Sequence, residues 1–394
     1  MTDQNAAILV VDDVAENRDL LMRRLKRLGF SRIDEAANGN EALAAIAQTP
    51  YDLVLLDIMM PELDGFGVLD QLRADGRINE LPVIVVSALN EIDPVVRCIE
   101  LGADDFIFKP FNPTLLRARV LATLEKKALR DRTRDELMRK HVELAEARTL
   151  QLSLVPPPFA GTVAGRGLSI DALLEPAKEV GGDLVDYFPI GDTHMVLVIG
   201  DVSDKGAAAA LMMARTHAMF RALAARPDAA ELFADPARAA GLVNDALVRG
   251  NTSCMFVTLL LATLDVTSGD LAFVRAGHVP PYRRAAGGAV SRLGGPGGPA
   301  LGVAEDFPYR AASATLAAGE RLLVVTDGLT EAHDHDGMLF SEERVGDFLA
   351  GLTNGEARPL HRLAAEVRAF EAGLPAFDDM AALLLTLEPG AGQG

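Results

Sequence analysis

Short apolar runs bordered by carboxylates recur along this chain, and no other feature restricts its fold as strongly. Met195-Val196-Leu197-Val198-Ile199 leads into Asp201, and Leu322-Leu323-Val324-Val325 leads into Asp327. Asp378-Asp379 stands just ahead of Ala381-Ala382-Leu383-Leu384-Leu385, and Gly181-Gly182-Asp183 adds a fourth acidic signature. Runs of this length and composition read as buried strands. A carboxylate at the end of a buried strand is costly unless a counter-charge meets it. If the four signatures converge they need cations, and hard oxygen donors select Mg²⁺ or Mn²⁺. Centres of that kind carry out phosphate chemistry.

The chain has 394 residues, too many for one core, so two or three domains are expected. No uninterrupted apolar run reaches membrane-spanning length. Met1-Thr2-Asp3-Gln4-Asn5 is polar and has no basic region, so no signal peptide is expected. Cys98 and Cys254 fall in different expected domains, which fits a reduced, cytoplasmic protein. A net charge of −18 argues against nucleic acid as a direct partner. It leaves a phosphorylated substrate open, because bound metal reverses local charge.

Residues 1–120 alternate apolar runs with helical patterns. Ile8–Val11, Leu53–Leu56, Val83–Val86 and Phe106–Phe108 read as strands, and Arg18–Leu28 as a helix. That alternation implies a parallel sheet covered on both faces, with function gathered at the C-terminal strand ends. Those ends carry Asp12, Asp13, Asp57, Ser87 and Lys109-Pro110. Asp12, Asp13 and Asp57 can share one divalent cation, and Asp57 can act as a nucleophile toward phosphate. Lys109 can neutralise one phosphoryl oxygen and the Ser87 hydroxyl can hydrogen-bond another.

Val10-Val11-Asp12-Asp13, Leu56-Asp57-Ile58-Met59-Met60-Pro61, Asp64-Gly65, Ser87-Ala88 and Gly102-Ala103-Asp104-Asp105-Phe106 with Lys109-Pro110-Phe111 resemble the receiver domain of two-component response regulators. The resemblance implies a doubly wound, parallel five-stranded α/β domain phosphorylated on Asp57 by a sensor histidine kinase. It further implies Mg²⁺ on Asp12, Asp13, Asp57 and the Met59 carbonyl. Ser87 and Phe106 would be the switch pair, and Lys109-Pro110 would be a cis peptide.

Residues 113–155 are densely charged and lack glycine. An apolar seam runs Leu121, Leu124, Ala128, Met138, Val142, Ala145, Thr149 and Leu152, with Asp131 and Asp135 at the two seam positions between. The 3-4 spacing fits a coiled coil, and hence a homodimer joined through this helix. A single amphipathic linker helix packed on its own domains fits as well. Pro156-Pro157-Pro158 ends it.

Residues 156–390 form the third region. Met255–Asp265 and Leu271–Val274, joined through Thr267-Ser268-Gly269-Asp270, read as a β-hairpin. Ala207–Ala224, Glu342–Leu349 and Leu360–Ala372 read as helices, and residues 391–394 fall in a disordered tail. Glu179-Val180-Gly181-Gly182-Asp183, Gly200-Asp201-Val202-Ser203 with Lys205-Gly206, Ala276-Gly277-His278-Val279-Pro280-Pro281, Thr326-Asp327-Gly328-Leu329-Thr330-Glu331 and Asp378-Asp379-Met380 resemble the SpoIIE-like branch of the PPM (2C-type) serine/threonine phosphatases. Ala147-Arg148-Thr149-Leu150-Gln151 with Ser153-Leu154 resembles the helix that precedes this domain in regulated bacterial members.

The resemblance implies a central β-sandwich flanked by helices and two Mn²⁺ or Mg²⁺ ions. Asp201 would bridge them, the Val202 carbonyl would bind one, Asp327 and Asp378 would complete one site, and Asp183 would serve the outer part of the other. Water would attack phosphorus directly. The substrate would be a phosphoserine or phosphothreonine protein, an anti-sigma-factor antagonist of a partner-switching pathway. Three positions depart from the family pattern: Asp204 replaces Gly, Arg275 replaces Asn and Ala381 replaces Thr. A phosphorylation-gated adaptor without catalysis is the alternative, and Asp204 is what favours it. His278, in a Gly/Pro turn, reads as structural. His333 and His335 read as an exposed loop, Gly294–Pro299 as a turn, and Met212, Met213 and Met219 as a helix packing face.

Overall fold

In the computed structural model, which describes residues 5–88, 92–353 and 355–388, strands β1 (Ala7–Val11), β2 (Arg32–Ala36), β3 (Leu53–Asp57), β4 (Val83–Ser87) and β5 (Asp105–Phe108) form one parallel sheet. Its order is β2-β1-β3-β4-β5. β1, β3 and β4 are buried along their whole length, as all-apolar strands covered on both faces must be. The apolar pattern identifies four strands of this sheet. The fifth, β2, reads Arg-Ile-Asp-Glu-Ala and is mostly exposed, as an edge strand can be. The sheet belongs to a compact unit spanning 1–140.

A single helix, Pro113–Leu152, follows. Leu116, Val120 and Leu124 are buried in the core of this first unit, with Leu121 packed against it. Farther along, Met138 is 60% and Val142 57% exposed. The seam is therefore continuous as a helix, with Met138, Val142, Ala145 and Thr149 exposed and Leu152 packed against the core of the following sandwich.

The second unit spans 141–394. Its strands are β6 (Phe159–Val163), β7 (Arg166–Glu175), β8 (Leu184–Ile190), β9 (His194–Val202), β10 (Val257–Asp265), β11 (Asp270–Ala276), β12 (Tyr282–Arg284), β13 (Val290–Arg292), β14 (Gly297–Gly298), β15 (Ala312–Thr315), β16 (Arg321–Val325) and β17 (Met380–Leu387). One sheet runs β14-β11-β10-β9-β8, with β15 also on β11. The other runs β13-β12-β16-β17-β7-β6. Alternate residues of β7, β9, β10, β16 and β17 point between the sheets, where Ile170, Leu197, Leu260, Val324 and Leu383 share one core. The outer face of the first sheet packs on helices Ala207–Ala224, Ala229–Ala234 and Pro236–Val248 through residues such as Val198, Leu261, Phe220 and Val243. The outer face of the second packs on Ser341–Ala350 and Pro359–Glu371 through Leu323, Leu384, Val345 and Val367. The result is the expected β-sandwich flanked by helices, with the expected hairpin at β10–β11. The tail assigned to 391–394 lies outside the described residues.

Candidate metal centres

In the first unit, β1 and β3 are adjacent and parallel, so their C-terminal ends bring Asp12, Asp13 and Asp57 together. One carboxylate oxygen from each lies within 4.8 Å of the others, a grouping suited to a cation. Asp12 and Asp57 are buried and Asp13 is exposed. The Lys109 ammonium lies 2.7 Å from Asp12 Oδ2 and 2.6 Å from Asp57 Oδ2. Burial raises the Asp57 pKa, the Lys109 hydrogen bond and charge oppose the rise, and the Asp12 charge adds to it. Burial depresses Lys109, but its hydrogen bonds to Asp12 and Asp57 outweigh this and raise it.

Local backbone chemistry shapes the Asp57 loop. The Met59 N–H donates to Asp57 Oδ1 over 3.4 Å. Asp64 caps the helix Gly65–Ala74 by accepting from the Gly67 N–H at 2.8 Å. A Cβ on Gly65 would stand 2.4 Å from the Asp57 carbonyl oxygen, so Asp64-Gly65 is a packing requirement of the loop. Ser87 ends β4 and is buried. Phe106, in β5, stacks edge-on with Phe108 at 5.1 Å, and the Lys109–Pro110 peptide is cis.

In the second unit, Asp201 comes from β9 and Asp183 lies just before β8. Asp327 follows β16 and Asp378 precedes β17. The pairing of β8 with β9 and of β16 with β17 assembles them in twos. Asp183 is buried, and its Oδ2 accepts from Thr326 Oγ1 at 2.7 Å. Burial, then the Asp201 charge, raise the Asp183 pKa well above the usual carboxylate range. Burial and the Asp327 charge push Asp201 up to about 7, while a hydrogen bond with Asp183 opposes the rise. Burial, then Glu331 and Asp378, raise Asp327.

Buried and half-buried carboxyls whose pKa values are raised by burial and by neighbouring carboxylates are sites of unrelieved negative charge. An all-carboxylate donor set suits Mg²⁺ or Mn²⁺. Both centres therefore fit hard divalent cations. They differ in compactness: among the described residues, only Asp12, Asp13 and Asp57 form a tight triple. In the second unit Asp378 turns instead to Lys205, with Oδ2 2.8 Å from the ammonium.

Several contacts escaped the sequence reading. Asp379 aims its carboxylate away from Asp378, accepting from the Ala177 N–H at 2.7 Å and the Gly182 N–H at 2.6 Å. Successive residues entering a strand point to opposite sides, so an Asp-Asp doublet can offer only one carboxylate to the cluster. Gln151 binds the backbone of Gly181 through both ends of its amide. Asp204 is exposed, and its Oδ1 accepts from the Lys205 N–H at 2.8 Å. Its carboxylate thus serves its own loop. His278 is buried, with Nδ1 3.3 Å from Thr258 Oγ1 on the strand beside Asp201, and burial pulls its pKa down to about 4. His335 is exposed and His333 packs on the Phe377 ring.

Comparison with known proteins separates the same two parts. Residues 191–388 match the family model of stage II sporulation protein E, and residues 8–121 match that of the response regulator receiver domain. The SiaA PP2C domain of Pseudomonas aeruginosa superposes with a TM-score of 0.53 at 22% identity, covering 64% of this chain and 99% of that one. The probable transcriptional regulator ycf27 of Porphyridium aerugineum is 42% identical over 123 residues, 31% of this chain and 50% of the relative. Protein IcfG of Synechocystis is 26% identical over 260 residues, 61% of this chain and 40% of the relative. The chain thus spans half or less of the length of these two curated relatives.

Proposed function

Because the chain belongs to the stage II sporulation protein E family and carries a receiver domain ahead of that match, we propose that it is a response regulator whose Asp57 phosphorylation controls a metal-dependent serine/threonine phosphatase. The observation that carries the proposal is the convergence of Asp183, Asp201 and Asp327 at paired strand ends, where burial raises all three carboxyls and the Asp201 charge lifts Asp183 and the Asp327 charge lifts Asp201. Such a cluster is stable in its ionised form only with cations bound.

In this reading Asp201, Asp327, Asp378 and the Val202 carbonyl would hold Mn²⁺ or Mg²⁺. Asp183 would serve the outer part of that site. When bound, the ions supply Lewis acidity toward water and phosphoryl oxygens. Thr326 fixes the Asp183 carboxyl by its hydroxyl, and Asp379 fixes the Gly182 backbone.

In the receiver, Asp12, Asp13, Asp57 and the Met59 carbonyl would hold Mg²⁺. An Asp57 carboxylate oxygen forms the bond to phosphorus while the donor's leaving group departs with its bonding electrons. Lys109 is already within 2.6 Å of Asp57 and neutralises the added charge. Ser87 and Phe106 then report phosphorylation. A sensor histidine kinase supplies the phosphoryl group, and an anti-sigma-factor antagonist is the substrate. The helix Pro113–Leu152 joins two copies, and the protein works in the cytoplasm. No helix among the described residues is long and apolar enough to cross a membrane.

The test is hydrolysis of p-nitrophenyl phosphate and of a phosphoserine protein with Mn²⁺, before and after acetyl phosphate. Turnover should require metal and Asp201, and should respond to acetyl phosphate in the wild type but not in Asp57→Ala. Absence of turnover in both phosphorylation states would leave the chain a phosphorylation-gated adaptor.

A further inference from the structure

Lys205 is, among the described residues, the one basic side chain paired with any of Asp183, Asp201, Asp327, Asp378 and Asp379. Its ammonium lies 2.8 Å from Asp378 Oδ2 and donates to the Phe377 carbonyl over 2.8 Å. It also sits 4.9 Å from the centroid of the Phe377 ring. His333 packs edge-on against that ring, with centroids 5.3 Å apart. The lysine side chain keeps 42% of its exposure.

These contacts divide into two kinds. The Asp378 pair is a charge contact that weakens once Asp378 shares its oxygens with a cation. The carbonyl and the ring of Phe377 are neutral contacts that do not depend on the charge of Asp378. A lone exposed ion pair would hold the ammonium poorly, whereas the carbonyl and the cation–π contact fix it at the edge of the cluster. A phosphomonoester approaching the cluster carries two negative charges toward Asp183, Asp201, Asp327 and Asp378 and the exposed Asp204. A compact ammonium with three rotatable donors suits a phosphoryl oxygen.

Resting on the phosphatase reading above, we propose that Lys205 is a catalytic residue that binds the substrate phosphoryl group, passing from Asp378 to a phosphoryl oxygen when Asp378 takes up metal. The Phe377 carbonyl and ring hold the ammonium beside Asp378 before the exchange.

The test uses the full chain loaded with Mn²⁺, p-nitrophenyl phosphate as substrate and inorganic phosphate as inhibitor. Lys205→Ala and Lys205→Gln should each raise both KM and the phosphate inhibition constant by about tenfold or more, the loss expected for one charge-assisted hydrogen bond. Lys205→Arg should recover most of both. Calorimetric Mn²⁺ affinity should be unchanged or tighter in all three. Unchanged KM and inhibition constant in Lys205→Ala would overturn the proposal. So would weaker Mn²⁺ binding with an unchanged inhibition constant, because Lys205 would then only prop Asp378. If the wild type binds Mn²⁺ but hydrolyses nothing, the phosphatase reading fails. Calorimetric titration of the Mn²⁺-loaded wild type and variants with phosphate then decides the role of Lys205 separately.

Discussion

Gln151 and Gly181 exchange a reciprocal pair of hydrogen bonds: Gln151 Nε2 donates to the Gly181 carbonyl over 2.8 Å, and the Gly181 N–H donates to Gln151 Oε1 over 3.0 Å. The last turn of a 40-residue helix thereby holds the backbone that leads to Asp183. The next N–H, on Gly182, is held by Asp379. A Cβ on Gly181 would stand 2.2 Å from Asp379 Oδ2, so a larger residue there would displace a carboxylate that the Ala177 and Gly182 N–H groups hold.

Gln151→Leu should leave a buried donor and a buried acceptor unpaired. The expected loss is about 2–4 kcal/mol in the stability of the phosphatase unit, with weaker Mn²⁺ binding. Denaturant titration and calorimetry check both, and wild-type values in each would show that the amide pair does not brace the Asp183 loop.

Asp201→Asn should remove Mn²⁺-dependent turnover and yet stabilise the metal-free protein. The folded-state pKa of Asp201, about 7, lies above its ordinary 3.8. A raised carboxyl contributes stability below the unfolded pKa and loses it as pH rises through the folded one. Asparagine stays neutral, so its advantage in EDTA should be on the order of 2–4 kcal/mol at pH 8 and fade toward pH 4. An asparagine variant less stable than wild type at pH 8 would contradict this sign.

Gly328→Ala should be among the most damaging single-methyl changes. The added Cβ would lie 1.8 Å from the Asp379 carbonyl oxygen and 2.8 Å from its carbon, and backbone cannot yield as a flexible side chain can. A loss of more than about 3 kcal/mol is expected, together with loss of Mn²⁺-dependent turnover. Gly346→Ala, in an open position of helix Ser341–Ala350, is the control and should be neutral or stabilising. Similar melting temperatures for the two variants would refute the packing argument.

His278 is buried with its pKa near 4, below the ordinary 6.5. Its depressed pKa means that the unfolded chain takes up a proton first, so stability is lost as pH falls from 6.5 toward 4. Asp201 acts in the opposite direction over part of the same window. The difference between wild type and His278→Gln isolates the histidine and should change by on the order of 3 kcal/mol across that range. A difference independent of pH would mean that folding does not depress the His278 pKa.

Sequence made the receiver sheet legible wherever strands are buried on both faces, because only apolar residues survive there. β2 was hidden because Arg32, Asp34 and Glu35 face solvent at an edge. The β10–β11 hairpin and the helix Ala207–Ala224 stood out through turn chemistry and length. The acidic positions were legible because a charge beside an apolar run is anomalous. Lys205, Gln151 and Asp379 were not legible as partners: their contacts join residues 173, 30 and 197 positions apart, and only the folded sheets bring these together. The seam from Leu121 to Leu152 was read correctly as helix, but spacing alone does not distinguish Leu124, which is buried, from Met138, which is exposed.

β17 is made after every other strand of the sandwich, yet it lies in the middle of its sheet, between β16 and β7. Asp378 and Asp379 stand at its entrance. A chain still emerging from the ribosome can form the receiver and most of the sandwich strands, but it lacks the strand that joins β16 to β7 and the carboxylates that come with it. Pairing across so large a sequence separation is slow and comes late. Completion of the fold and assembly of the acidic cluster would then be one event, so a stalled or clipped product would carry the first unit intact and the second without its Asp378-Asp379 doublet.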